Sequence, residues 1–252
     1  MGSQSFVSLL VSTVILLVLT SAGLLAAPSD LVTALRSNEF WYAVTLSTVT
    51  ASVSTLAALA TSLMLAVPLL YGEERVKVFD AIVSLPVAMP PVALGVALLA
   101  FFTRNPLGSL IDRAIGVVFS IPGLIVAQYF VILPIVARGV RAAFETLPRE
   151  YIEVARTLGY GRTEVLVKVA LPLAKRGITA STVLGFTRAF GEFGASVMVA
   201  GATRFKTETV PIAIYLAMES GSIGLAAAMT LLSLLVAVLA VIALEVVGWR
   251  RW

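Results

Sequence analysis

The sequence predicts an all-α, polytopic membrane protein of six transmembrane helices, with one short helix outside the bilayer between the fourth and fifth spans. Three observations carry this. Apolar residues make up 59% of the chain and charged residues 13%, with a mean hydropathy of +1.01, whereas soluble domains carry about 25% charged residues. The charges cluster, leaving uncharged runs at 1–29, 40–72, 81–103, 114–137 and 220–244, and a stretch from 177 to 203 broken only by Arg188 and Glu192. Each run is long enough to cross, since a helix needs roughly 20 apolar residues to do so. None alternates in segments of about ten as a membrane barrel strand would, so helices are the spanning structures that satisfy the backbone.

The spans follow in order, at about 6–27, 40–70, 81–103, 117–140, 173–200 and 222–247, within a single domain covering 1–252. The first could be mistaken for a secretory signal, because Ala26-Ala27 follows its apolar core. However, no Lys or Arg precedes it, and the apolar stretch exceeds the usual 7–15 residues. The second run holds 33 residues, about 50 Å of helix. Its first half is rich in small polar residues (Thr45, Ser47, Thr48, Thr50, Ser52, Ser54 and Thr55), which suits either close helix packing or a polar cavity. The third opens with Ser84-Leu-Pro-Val-Ala-Met-Pro-Pro91, where three prolines within six residues predict a kinked or broken helix near Asp80–Pro91.

Lys and Arg set the orientation. Arg75, Lys77, Arg138, Arg141, Arg149, Arg156, Arg162, Lys168, Lys175, Arg176, Arg250 and Arg251 share one face, and Arg36, Arg104, Arg113, Arg204 and Lys206 the other. By the positive-inside rule the richer face is cytoplasmic. The chain is therefore expected in the cell membrane with both termini inside, and its pI near 9.6 reflects topology and lipid headgroups, not nucleic acid. Cysteine and histidine are both absent, which removes disulfides, thiol chemistry and the commonest metal ligands.

A polar, basic island at 153–172 interrupts the apolar pattern, and a short helix is expected at about 148–159. Pro148 suits a helix start, Arg149 and Glu153 stand four apart, and Ile152, Ala155 and Leu158 are expected on one face. Gly159 suits a left-handed stop. A helix of about ten residues cannot span; it either lies on the headgroups or docks a partner. Pro172 suits the first turn of the next helix and is expected to push Leu171 into an extended conformation.

Glu153-x-Ala155-x3-Gly159-x9-Val169-x-Leu171-Pro172 resembles the E-A-A-x3-G-x9-I-x-L-P signature of permease subunits of ABC importers, with Val154 and Val169 as conservative departures. The resemblance implies that the island is a coupling helix seated on an ATP-hydrolysing subunit, with Glu153, Ala155, Gly159, Leu171 and Pro172 in that role. It extends over about residues 40–248. Pro86-Val-Ala-Met-Pro-Pro-Val-Ala-Leu-Gly95, Arg104-Asn-Pro-Leu-Gly108, Phe186-Thr-Arg-Ala-Phe-Gly-Glu-Phe-Gly-Ala195, Met198-Val-Ala-Gly201 and Lys206-Thr-x-Thr-x-Pro-Ile-Ala-Ile-Tyr215 look like the molybdate/tungstate branch. Sulfate permeases share the R-A-x-G-E core, and Ala202 stands where an asparagine often follows. The family implies a homodimer, two ATP-binding cassette subunits that carry the ATP and Mg, and an extracellular or periplasmic oxyanion-binding protein.

The chain itself has no G-x-x-x-x-G-K-[ST] phosphate loop and no residues for a Ser–His, Cys–His or H-E-x-x-H arrangement, so it is expected to be a pore-forming subunit with no cofactor or metal of its own. A secondary anion carrier is the other transport reading. Such carriers usually place carboxylates in the membrane, and here Glu192 alone lies well within a span. An intramembrane enzyme would need a nucleophile with a base, or paired acids. Arg188 and Glu192, four apart, are expected to pair, either bracing helix packing or lining the route of a dianion near an outer gate, with Gly191 and Gly194 permitting a bend.

Overall fold

The structure, a computed structural model, describes residues 3–71 and 76–249, with side chains over 7–71, 81–239 and 242. Arg75, Arg250 and Arg251, and the side chains of Lys77 and Asp80, lie outside the described residues. All regular structure described is helical. Among the described residues three helices are long and apolar enough to cross a membrane, and a fourth if a pair bent by 117° counts as one.

Two compact units divide the chain, Met1–Leu46 with Ala202–Leu239, and Ser47–Gly201 with Ala240–Trp252. The first holds α1 (Ser3–Thr20), α2 (Pro28–Arg36) and the opening of α3 (Asn38–Ala66). The second holds the rest of α3, then α4 (Val76–Ala88), α5 (Pro91–Arg104), α6 (Pro106–Ile115), α7 (Ile121–Glu145), α8 (Arg149–Thr157), α9 (Arg162–Val165), α10 (Leu171–Phe190) and α11 (Gly194–Ala200). The chain then returns to the first unit for α12 (Val210–Glu219) and most of α13 (Ile223–Trp249).

In the first unit Asp30 accepts the Ala27 N–H at 2.9 Å and so caps α2; the start of α13 passes so close that a Cβ on Gly224 would strike this carboxylate. Gly221, at φ +78°, ends α12, with the Ser222 N–H reaching back to the Ala217 carbonyl at 2.9 Å.

The core of the second unit is a seam of small residues between α7 and α10. Gly177, Ser181 and Gly185 recur every four residues on α10 and therefore share one face. Opposite them on α7 stand Ala143, Gly139 and Val136: a Cβ on Gly177 would come within 2.5 Å of the Ala143 Cβ, one on Gly185 within 2.5 Å of Val136 Cγ2, and one on Gly139 would overlap the Ser181 hydroxyl. Removing side chains brings the two backbones together, the packing mode favoured where lipid offers no hydrophobic drive between helices. The same device joins α5 to α11, where Gly95 abuts Ala195 and Met198.

The proline cluster breaks where expected. Pro86 sits inside α4, the helix ends at Ala88, and Pro91 begins α5. Arg104-Asn-Pro-Leu-Gly108 proves to be a helix start: the Asn105 side chain accepts the Leu107 and Gly108 N–H groups at 3.0 and 3.4 Å, with Pro106 first in α6. On α3, Ser47, Thr50, Ser54, Thr55 and Ser62 are buried and Thr45 and Thr48 exposed. Ser54 donates to the Ile125 carbonyl at 2.9 Å, a packing use of a small hydroxyl.

Two expectations are corrected. The fifth run is not one helix: it stops at Phe190 and resumes at Gly194. Leu171 is helical, at φ −61° and ψ −46°, not extended. The π-helical turn Leu166–Ala170 lies just before it, and the bond from the Leu171 N–H to the Leu166 carbonyl holds Leu171 in the helix against the local pre-proline bias. A proline ring clashes with the carbonyl four residues back, here Lys168. The wider turn displaces that carbonyl, so Pro172 enters a nearly continuous helix instead of following a loop.

Candidate functional site

The polar island folds as expected but faces differently. α8 buries Ile152 and Ala155 against Val165 and Ala170, with Leu70, Leu147, Leu166 and Val169 around them. Leu158 does not join Ile152 and Ala155. It is 70% exposed, because three-residue steps drift backward around a 3.6-residue turn and place it about 120° from Ile152. Leu158 instead extends a second apolar stripe with Tyr151 and Val154, each more than half exposed, three and four residues apart on the outer face. Arg149, Glu150, Glu153 and Arg156 are exposed around it. Sequence reasoning missed this stripe, although the spacing of Tyr151, Val154 and Leu158 carried it.

The end of α8 is fixed by three residues. Gly159 has φ +85°, its N–H bonds to the Arg156 carbonyl at 3.0 Å, and the Tyr160 N–H bonds to the Ala155 carbonyl at 3.1 Å. This paired closure satisfies two terminal carbonyls and turns the chain sharply away. It returns through α9, where Glu164 accepts the Gly161 N–H at 3.2 Å and pairs with Lys168 at 2.7 Å. Lys168, and then the Gly161 N–H, hold the Glu164 carboxyl below its ordinary range, and Glu164 raises Lys168 in turn. Tyr71 lies under two guanidinium groups, 4.8 Å from Arg162 and 5.6 Å from Arg156, which ties the end of the second run to both arms of the island.

The structure therefore brings Ala155 and the π-helical turn together, sets Glu153 on the open face, and puts Gly159 at the stop. Leu171 is half-buried and Pro172 exposed, one and two residues beyond Ala170; neither joins the cluster. Among the described residues Arg149 and Glu153 do not form an ion pair, whereas Glu164 pairs with Lys168 and Arg141 with Glu145.

Arg188 and Glu192 form the second feature. The Arg188 guanidinium meets Glu192 Oε2 at 2.6 Å; the Glu192 side chain is 1% exposed and that of Arg188 34%. Glu192 Oε1 accepts the Ala195 N–H at 2.8 Å, so the carboxylate bridges the last turn of α10 and the first of α11. Both oxygens are engaged. Gly191 and Gly194 flank the break, and a Cβ on Gly194 would press on Pro91 and Val92 at 3.1 Å. In the same unit Gln128 is fully buried with its amide nitrogen unpartnered, its carbonyl oxygen accepting from Ser54 at 3.2 Å.

Neither feature offers a nucleophile poised beside a base; one presents a surface and the other a bridge. The family described as "Binding-protein-dependent transport system inner membrane component" matches residues 58–251. A "Probable transport system permease protein NifC" of Clostridium pasteurianum is 37% identical over 57% of this chain, which spans about half (51%) of that protein's length. A "Probable molybdenum ABC transporter permease protein" of Haloferax volcanii is 33% identical over 90% of this chain and 82% of its own. The sulfate transport system permease of Escherichia coli is 36% identical over 56% and 51%. Among solved structures, a bacterial alginate ABC transporter in complex with its alginate-bound periplasmic protein has a chain that superposes with a TM-score of 0.76, at 15% identity, over 98% of this chain and 94% of that one.

Proposed function

Because the chain belongs to the family of binding-protein-dependent transport system inner membrane components, we propose that it is the membrane-spanning permease subunit of an ATP-driven importer for a tetrahedral oxyanion, molybdate or tungstate. The observation that carries the reading is the two-faced α8. Its inner face is locked onto Val165 and Ala170, while its outer face holds an apolar stripe ringed by charges outside every long apolar run. Helices that only lie on headgroups bury their apolar face in the lipid; this one has already buried one face in its own protein and keeps a second for a partner. That partner is an ATPase subunit, which supplies the ATP and Mg site this sequence lacks.

In this reading two copies associate, each seats one ATPase subunit, and an external binding protein delivers the anion. The six spans are α1, α3, the α4–α5 pair, α7, α10 and α13, with the basic face and both termini cytoplasmic. ATP binding and hydrolysis shift the population between inward- and outward-open states. The Haloferax relative, named a probable molybdenum ABC transporter permease, favours molybdate; tungstate and sulfate have the same charge and tetrahedral shape and are tested beside it. The experiment reconstitutes the chain with the ATPase subunit that co-purifies with it and an oxyanion-binding protein from the same organism, and compares uptake of the three anions. Uptake that requires ATP and the binding protein is expected, with molybdate or tungstate ahead of sulfate. Equal uptake without either would establish a secondary carrier instead.

Coupling through α8 gives a separate prediction. At Gly159 a Cβ would meet nothing within 4 Å, so a side chain there is opposed by backbone conformation alone. Left-handed backbone costs an L residue roughly 1–2 kcal/mol, and a β-branched side chain more. Gly159→Val should leave protein yield near wild type and lower ATPase stimulation by the loaded binding protein several-fold, because the last turn of α8 unwinds. Gly159→Asn, which tolerates that conformation, should retain most of it. Full stimulation in Gly159→Val would detach the stop from coupling.

A further inference from the structure

We propose that the cleft between α4 and α7 in the second unit seats the phosphodiester of a membrane phospholipid on Arg138 and Ser84. The proposal goes beyond transport, and its test involves none. The cleft has a volume of about 220 Å³. Pro134, Arg138, Arg141 and Glu145 line it from α7, three and four residues apart and so on one face of that helix, and Val83 and Ser84 line it from α4. From Pro134 to Glu145 the wall therefore runs from apolar through cationic to anionic.

The hydrogen bonds leave donors for an anion. Arg138 Nε donates to Ser84 Oγ at 3.3 Å, which holds the guanidinium against α4. Among the described residues neither side chain makes another bond, so both Arg138 Nη groups and the Ser84 hydroxyl hydrogen remain to be donated. The Nη edge of a guanidinium can bind two oxygens of one phosphate at once, which is the geometry in which arginine and phosphate most often meet. A hydroxyl beside that edge supplies a further donor.

The charge of the lining selects a monoanion. Arg141 Nε meets Glu145 Oε1 at 2.7 Å, so one of the two guanidinium groups is countered within the cleft, and Arg138 is the cation left uncompensated. Its single positive charge balances a phosphodiester, which carries one negative charge. A free dianion such as molybdate would bring a second negative charge into a space that already holds the Glu145 carboxylate.

Depth makes a lipid the source of that diester. The uncharged run at 114–137 ends at Arg138, in a helix apolar enough to cross a membrane. Arg138 is thus the first charge beyond a span, at the level of headgroup phosphates, where basic pockets between spanning helices hold lipid headgroups. Pro134, one turn deeper and buried, and Val83 give the glycerol and the first acyl carbons an apolar wall. Ile82 and Leu85, on either side of the α4 lining residues, are more than half exposed and extend the apolar surface available to the chains.

Native mass spectrometry of the full-length protein, stripped of lipid in detergent and titrated with phosphatidylglycerol, reads the site. One lipid per chain should be retained after the others dissociate, and diacylglycerol, which lacks the phosphate, should not be. Arg138→Gln should lower the affinity roughly ten-fold, the loss of a charged hydrogen bond, and Ser84→Ala should lower it less. Arg138 is exposed, so its variant should keep the wild-type thermal midpoint. Glu145→Gln, which removes the countercharge, should shift the preference toward phosphatidic acid, whose phosphomonoester carries more negative charge. Wild-type affinity in both Arg138→Gln and Ser84→Ala, or retention of diacylglycerol equal to that of phosphatidylglycerol, overturns the proposal. Displacement of the lipid by inorganic phosphate or molybdate also overturns it, and would make the cleft a site for the free oxyanion.

Discussion

Gly139→Val is expected to prevent stable folding of the second unit, the largest effect of any single substitution considered. A Cβ on Gly139 would overlap the Ser181 hydroxyl and lie 2.8 Å from the Ser181 Cβ; valine adds two further methyl groups to that space. Overpacking a tight core costs typically 1–3 kcal/mol, and more where backbones must move. Here they must, because the contacts on either side are equally close: Gly177 on Ala143 and Gly185 on Val136 allow no hinge about which α7 could tilt from α10. The measurement is the yield and thermal midpoint of monodisperse protein in detergent. Gly139→Ala should lower both, and Ser181→Gly should restore them in the double variant, because it removes the atoms that the new methyl meets. A Gly139→Val protein with the wild-type midpoint, or a double variant without rescue, would mean that the helices do not meet on this seam.

The seam also shows where sequence reading stops. That the chain is helical and crosses a membrane follows from the length of its uncharged runs, and the break at Met89–Pro90 follows from proline chemistry. Gly159 was legible because a glycine past an amphipathic stretch has one common use. By contrast, Gly177, Ser181 and Gly185 lie in a segment whose hydrophobicity already assigned it, and hydropathy does not distinguish a residue that faces lipid from one that faces a backbone. At 191–193 the sequence showed only a bend permitted by Gly191 and Gly194, and not the end of a helix, since glycines there could equally have served packing. Leu171 was misjudged because the rule for residues before proline is a local bias, and here helix on both sides of Leu171, with its N–H bonded to the Leu166 carbonyl, outweighs it. Tyr151 and Val154 went unread because the apolar residues of α8 were assigned to one face, and the helix has two.

Separating stability from transport at Arg188 and Glu192 is the second large expected effect. As a bridge, the Glu192 carboxylate joins α10 to α11 through Arg188 and the Ala195 N–H. Breaking a buried ion pair by removing one partner costs about 3–5 kcal/mol, and less here because the Arg188 side chain is one-third exposed. Arg188→Gln should therefore destabilise by leaving a buried carboxylate without its cation, and Glu192→Ala should do so by also freeing the N–H of α11. The double variant Arg188→Gln/Glu192→Gln replaces the pair by two neutral amides that can still bond to each other and to Ala195. Its thermal midpoint should return most of the way to wild type. Uptake is the deciding measurement: a guanidinium with one side held by Glu192 and the other open to a passing dianion attracts without trapping, so a pathway role predicts that uptake stays several-fold low in the refolded double variant. Uptake that recovers in step with stability would leave Arg188 and Glu192 as a brace between two helices and nothing more.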